Sequence, residues 1–153
     1  MNTLKTILSS LFFILFCSLV SGQTFKLEEL AAFNNLDMVA FKKEIKKQNY
    51  TFYDKTEGLG FVVNEYESPG YQYKIAKFEY KEDQSQNNIE FTFKDKKDYD
   101  TYLKAVLDTG YKQTGKGKII TKESYTDYYK GKQQIRIVQP KTAKEPYTLI
   151  VFK

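Results

Sequence analysis

Residues 95–111 read DKKDYDTYLKAVLDTGY. Tyr99, Tyr102, Leu103, Val106 and Leu107 recur at i, i+3, i+4, i+7 and i+8, which is one apolar stripe along an α-helix. Asp95 suits the N-cap, and Asp98 suits the reciprocal position of a capping box. Gly110 ends the helix in the left-handed conformation, and Tyr111 opens a strand. The same plan stands earlier, in residues 34–50, NNLDMVAFKKEIKKQNY. At a shift of 61 (95 − 34), Asn34 falls on Asp95 and Asp37 on Asp98. Met38, Phe41 and Ile45 fall on Tyr99, Tyr102 and Val106, and Asn49-Tyr50 falls on Gly110-Tyr111. Asn replaces Gly well in the left-handed conformation. The chain therefore reads as a tandem duplication, with repeats over residues 34–94 and 95–153.

Strands follow each helix. In the first repeat they are read at 50–56, 61–67, 72–81 and 89–94, separated by Gly58/Gly60, by Ser68-Pro69-Gly70 and by the polar loop KEDQSQNN. Tyr73 and Ile75 share one face, and Ala76, Phe78 and Tyr80 the other. Ile89, Phe91 and Phe93 alternate cleanly with Glu90, Thr92 and Lys94. In the second repeat, TGKGK at 114–118 reads as a turn, without the spacing of a phosphate-binding loop. Strands are expected at 119–125, from Tyr128-Tyr129, at 133–138 and at 147–152. The closing Phe152-Lys153 echoes Phe93-Lys94 at a shift of 59 (152 − 93). A short helix is expected over residues 24–33. The fold class is α+β: a duplicated helix followed by three or four antiparallel strands, with both long helices on one face of the sheet. The other face is solvated or used.

Residues 1–22 have the pattern of a secretory signal peptide: Lys5, an apolar run over 11–20, then Val20-Ser21-Gly22. Phe16 before Cys17 disfavours lipid attachment there. Cleavage leaves residues 23–153 as one domain without cysteine, exported to the periplasm or beyond. No further segment suits a membrane span, and a monomer is expected. The exported chain carries 23 Lys+Arg (24 less Lys5) against 19 Asp+Glu. Its single arginine, Arg136, argues against a nucleic-acid partner. Lys42, Lys43, Lys46 and Lys47 complement the C-terminal end of the first long helix.

The element order resembles the tandem helix-plus-sheet architecture of the β-lactamase-inhibitor protein. It is also similar to small exported proteins with a tandem helix-plus-sheet repeat. The likeness covers most of residues 23–153 as element order. It implies a fold and carries over no residue.

The absence of histidine excludes Ser-His-Asp catalysis and His-ligated zinc or haem. Without Cys17 there is no thiol catalysis and no Cys-metal site. Ser68, Ser85 and Ser124 open no S-x-x-K motif and suit turns. No calcium loop occurs, so no metal and no cofactor are expected. Asn49-Tyr50-Thr51 matches a glycosylation sequon, although Asn49 reads better as a helix cap. Tyrosine, with 13 copies, is the remaining signal. It suits recognition surfaces and half-buried strands alike. Tyr66, Tyr73, Tyr128 and Tyr129 are the candidate binding tyrosines. Burying Ile135 and Ile137 turns Arg136 to the other face, where its planar fork serves an internal carboxylate pair or a partner. The expected function is a non-catalytic binding module for a protein or a cell-envelope glycan. The alternative is a carboxylate-dependent glycan hydrolase, with Glu65 and Glu67, or Glu57 and Glu65, as candidate acids.

Overall fold

The computed structural model describes residues 24–153; the export signal read at residues 1–22, with Cys17, lies outside them. Three helices and eight strands follow in the order α1 (Leu27–Asn35), α2 (Met38–Lys47), β1 (Thr51–Glu57), β2 (Phe61–Glu67), β3 (Tyr73–Tyr80), β4 (Asn88–Phe93), α3 (Lys96–Asp108), β5 (Lys112–Lys118), β6 (Ser124–Lys130), β7 (Gln133–Gln139) and β8 (Tyr147–Phe152). The strands form one antiparallel sheet in the order β1-β2-β3-β4-β8-β7-β6-β5. Each of α2 and α3 is followed by four strands, and the two runs meet along β4 and β8. The class is α+β.

Both longer helices are built alike. Asp37 caps α2 by accepting from the Ala40 amide at 2.7 Å, and Asp95 caps α3 by accepting from the Lys97 amide at 2.8 Å. At the far ends Asn49 (φ 61°) and Gly110 (φ 90°) are left-handed. The amides of Tyr50 and Tyr111 then bond back to Ile45 and Val106, and those of Asn49 and Gly110 to Lys46 and Leu107. This double pattern is the Schellman motif, which satisfies the last carbonyls of a helix. The front ends depart from the expected alignment. The caps are Asp37 and Asp95, so α3, with 13 residues against 10, starts about one turn earlier. Asn34 is no cap. It lies in the last turn of α1, is buried, and donates Nδ2 to the Val151 carbonyl at 2.9 Å. Asp98 accepts from the Tyr73 hydroxyl at 3.1 Å.

One side of the sheet carries the three described helices. Phe41 and Ile45 of α2, Tyr102 and Val106 of α3 and Leu30 of α1 share a single buried cluster with Ile75, Phe91 and Leu149. α1 rests on β4 and β8, across the middle of the sheet. Burial of each large apolar side chain contributes roughly 1.5–3 kcal/mol. The helical stripe is narrower than expected: Leu107 is 50% exposed, while Tyr99 and Leu103 are half-buried. Lys77 is buried on this side, where its Nζ donates to the Asn34 carbonyl at 3.1 Å and closes the C-terminal end of α1.

Three strand expectations change. Lys112–Lys118 is an edge strand, not a turn, and the turn lies at residues 119–123, before β6. Gly117 belongs in that strand because the Tyr125 ring crosses it: a Cβ there would stand 2.6 Å from the Tyr125 hydroxyl. Lysines and glycines suit an exposed edge, and they hide its strand character from a pattern of apolar residues. Finally, the echo of Phe93 in Phe152 fails. Phe93 pairs with Tyr147 on the helix side, while Phe152 pairs with Asn88 and so faces the other way. An odd slip in register exchanges the two faces of a strand. The shift that keeps faces is 60 (151 − 91): it places Ile89 on Leu149 and Phe91 on Val151. The pairs Ile89–Val151 and Phe91–Leu149 flank Glu90–Ile150 symmetrically, so that pair marks the centre of the sheet.

Candidate functional site

Directly opposed residues of neighbouring strands point to the same side of a sheet. The register therefore defines a row on the side without helices: Glu65 (β2), Ala76 (β3), Glu90 (β4), Ile150 (β8), Arg136 (β7) and Asp127 (β6). All six are half-buried. The order is symmetric about Glu90–Ile150. Asp127 opposes Arg136 as Glu65 opposes Ala76.

Arg136 holds its fork against Asp127. Nε donates to Oδ1 at 2.8 Å and a terminal nitrogen to Oδ2 at 3.0 Å. The guanidinium lies over the Tyr125 ring, 3.8 Å from its centroid. Gln134 Nε2 also donates to Asp127. The Asp127 hydrogen bond is the chief reason the Arg136 pKa rises further. A bidentate pair on an aromatic face is a rigid use of arginine that lysine cannot reproduce. Of the two uses considered for Arg136, the internal carboxylate pair is the one present.

The first half differs. Ala76 stands where Arg136 stands in the second half, and Glu65 has no cation opposite it. Among the described residues, neither Glu65 nor Glu90 has an ion-pair or hydrogen-bond partner. Burial, and then the nearby charge of Glu65, push the Glu90 carboxyl up to about 7. Their strands are two apart, so their backbones stand roughly 9.5 Å from each other. Lys74, on the same side, is engaged by Glu67 at 3.1 Å and lies over the Tyr53 ring. Phe78 and Phe152 flank the row on one side, and Thr92 and Thr148 on the other.

The candidate tyrosines separate by strand parity. Tyr129 is 38% exposed and lies on the helix-free side with Arg136. Tyr128 and Tyr66 do not: they oppose Ile135 and Ile75, are 5% and 0% exposed, and belong to the core. Their expected surface role is corrected accordingly. Tyr73 also faces the helices, stacked on Phe91 at 5.6 Å. It borders an open cleft of about 430 Å³ lined also by Tyr71, Asp95 and Asp98. Burial, then the bond to Asp98, push its hydroxyl up to about 12. Of the candidate acids, Glu67 pairs with Lys74 and Glu57 with Lys55, which leaves Glu65. Alternation along β4 turns Glu90 to this side, while its nearness to Glu65 depends on pairing across β3, which no local pattern discloses.

Among the described residues, no group of three or more metal-ligating side chains forms, and no helix is long and apolar enough to cross a membrane. No family model, curated protein or solved structure matches the chain.

Proposed function

We propose that the protein is an exported, non-catalytic binding module, built by tandem duplication, whose helix-free sheet face takes a protein partner. One observation carries this reading: the central row of that face. It joins an arginine fixed on a tyrosine and an aspartate to two carboxylates with no partner of their own. Rigid aromatic and arginine groups beside half-buried polar ones make good interface centres. Photo-crosslinking tests it. A p-benzoylphenylalanine at Thr148, on the face, should give a discrete adduct in cell-envelope extract, identifiable by mass spectrometry. The same probe at Lys104, on the outer side of α3, should not. Equal adducts from both positions would contradict the reading, and a carbohydrate adduct would replace the protein partner by a glycan.

A second reading is a glycan hydrolase using Glu65 and Glu90. The raised Glu90 pKa favours it, since a general acid must hold its proton near neutral pH. Against it stands the setting. The clefts at Tyr71–Asp98, at Phe25–Tyr102 and at Ser85–Lys153 are lined by other residues. Loss of glycan hydrolysis in Glu90→Gln would establish it.

A further inference from the structure

We infer that the face recognises an arginine side chain of the partner, held over Ala76 between Glu65 and Glu90. This rests on the proposed function and specifies the chemistry of the partner. The first support is the sheet's own symmetry. At the matching place in the other half, the side chain is Arg136, and its guanidinium lies against Asp127 in the same register relation that Ala76 has to Glu65. The fold thus displays how a guanidinium sits on this surface, and in the first half the short side chain of Ala76 stands in the place of that arginine.

The second support is a set of acceptors on this face that have no protein partner among the described residues. Asn88 lies two residues before Glu90 on the same strand and side, is 5% exposed, and its Oδ1 has no partner among the described residues. Glu65 and Glu90 are acceptors beside Ala76, and Asn88, between Phe78 and Phe152, adds a covered acceptor one row away. Lys74 and Arg136, the cations whose strands set them beside this row, are already engaged. A guanidinium brings five N–H donors in a planar fork and a charge that remains at any physiological pH. It matches both the acceptors and the local negative charge. The chain as a whole carries a net +5, so a cationic partner gains nothing from the bulk field, and binding must come from this patch.

The test is an ¹H–¹⁵N NMR titration with acetyl-triarginine amide as the probe. Saturable shifts are expected at Ala76, Glu90 and their strand neighbours, with none on α2 or α3. Glu65→Gln/Glu90→Gln should weaken binding at least tenfold with the spectrum otherwise preserved. Ala76→Arg should weaken it as much, because an internal guanidinium then fills the place as Arg136 does. Absence of saturable shifts, or unchanged affinity in both variants, overturns the inference. Equal affinity for free arginine amide also overturns it, because the site would then take a small guanidinium compound and not a partner's side chain. A specific crosslink at Thr148 with no triarginine binding would leave the partner surface standing and remove only the arginine.

Discussion

Glu90→Gln should make the protein more stable at pH 8 and leave it almost unchanged at pH 4. The Glu90 carboxyl is pushed from its ordinary 4.5 up to about 7, first by burial and then by Glu65. Its folded pKa lies above its unfolded one, so the fold binds this proton more tightly. The stabilisation from that proton is complete below pH 4.5 and disappears as pH rises through 7. Above pH 7 the folded chain holds an ionised carboxylate that it disfavours. A rise from 4.5 to about 7 corresponds to about 3 kcal/mol, and residual solvent access reduces this to about 2–3 kcal/mol. Glutamine keeps the shape and cannot ionise, so the variant escapes the whole penalty. With no tryptophan in the chain, far-UV circular dichroism is the natural probe of urea unfolding. At pH 8 the variant's midpoint should lie about 1 M urea above the wild type, and the gap should close towards pH 4. A gap of equal size at both pH values would refute the reasoning, because the effect would then be packing and not ionisation.

Tyr102→Ala should lower stability by about 3–5 kcal/mol in the same assay, because the ring packs on Phe91 and Phe93 and its hydroxyl donates to the Phe25 carbonyl. Lys77→Met should cost about 1–3 kcal/mol by leaving the Asn34 carbonyl at the end of α1 without its donor; an unchanged urea midpoint would show that this carbonyl finds another partner. Asp127→Ala should cost about 2 kcal/mol, since Arg136 keeps its charge on a half-buried face; Asp127→Ala/Arg136→Ala should recover part of that loss in a double-mutant cycle.

The sequence discloses the helices because their signals are local. Asn49 and Gly110 sit one turn past the last buried residue of α2 and α3, and both take the left-handed conformation. The alternation of Ile89, Phe91 and Phe93 likewise fixes which side of β4 meets the helices. Other features depend on neighbours distant in the chain. The doublet Tyr128-Tyr129 puts one ring on each side, and only pairing with Ile135 says which ring is buried. Lys112–Lys118 becomes a strand because β6 offers it a ladder, not because of its own composition. The bulges at Tyr53 and Thr114, 61 residues apart (114 − 53), have no sequence mark at all, yet they recur at the same place in both outer hairpins. The pairing of Arg136 with Asp127 was legible as a possibility from a lone arginine on a strand. The nearness of Glu65 and Glu90 was not, because 25 residues (90 − 65) and a whole intervening strand separate them.

The most direct test of the account is the titration of the Glu90 side-chain carboxyl by ¹³C NMR, with and without saturating acetyl-triarginine amide. In the free protein the midpoint should lie near 7. With the peptide bound, the guanidinium favours the ionised form, and the midpoint should fall by about one unit or more. A free midpoint in the ordinary carboxylate range, or one that does not move on saturation, would contradict the claim that this face holds a carboxylate waiting for a cation.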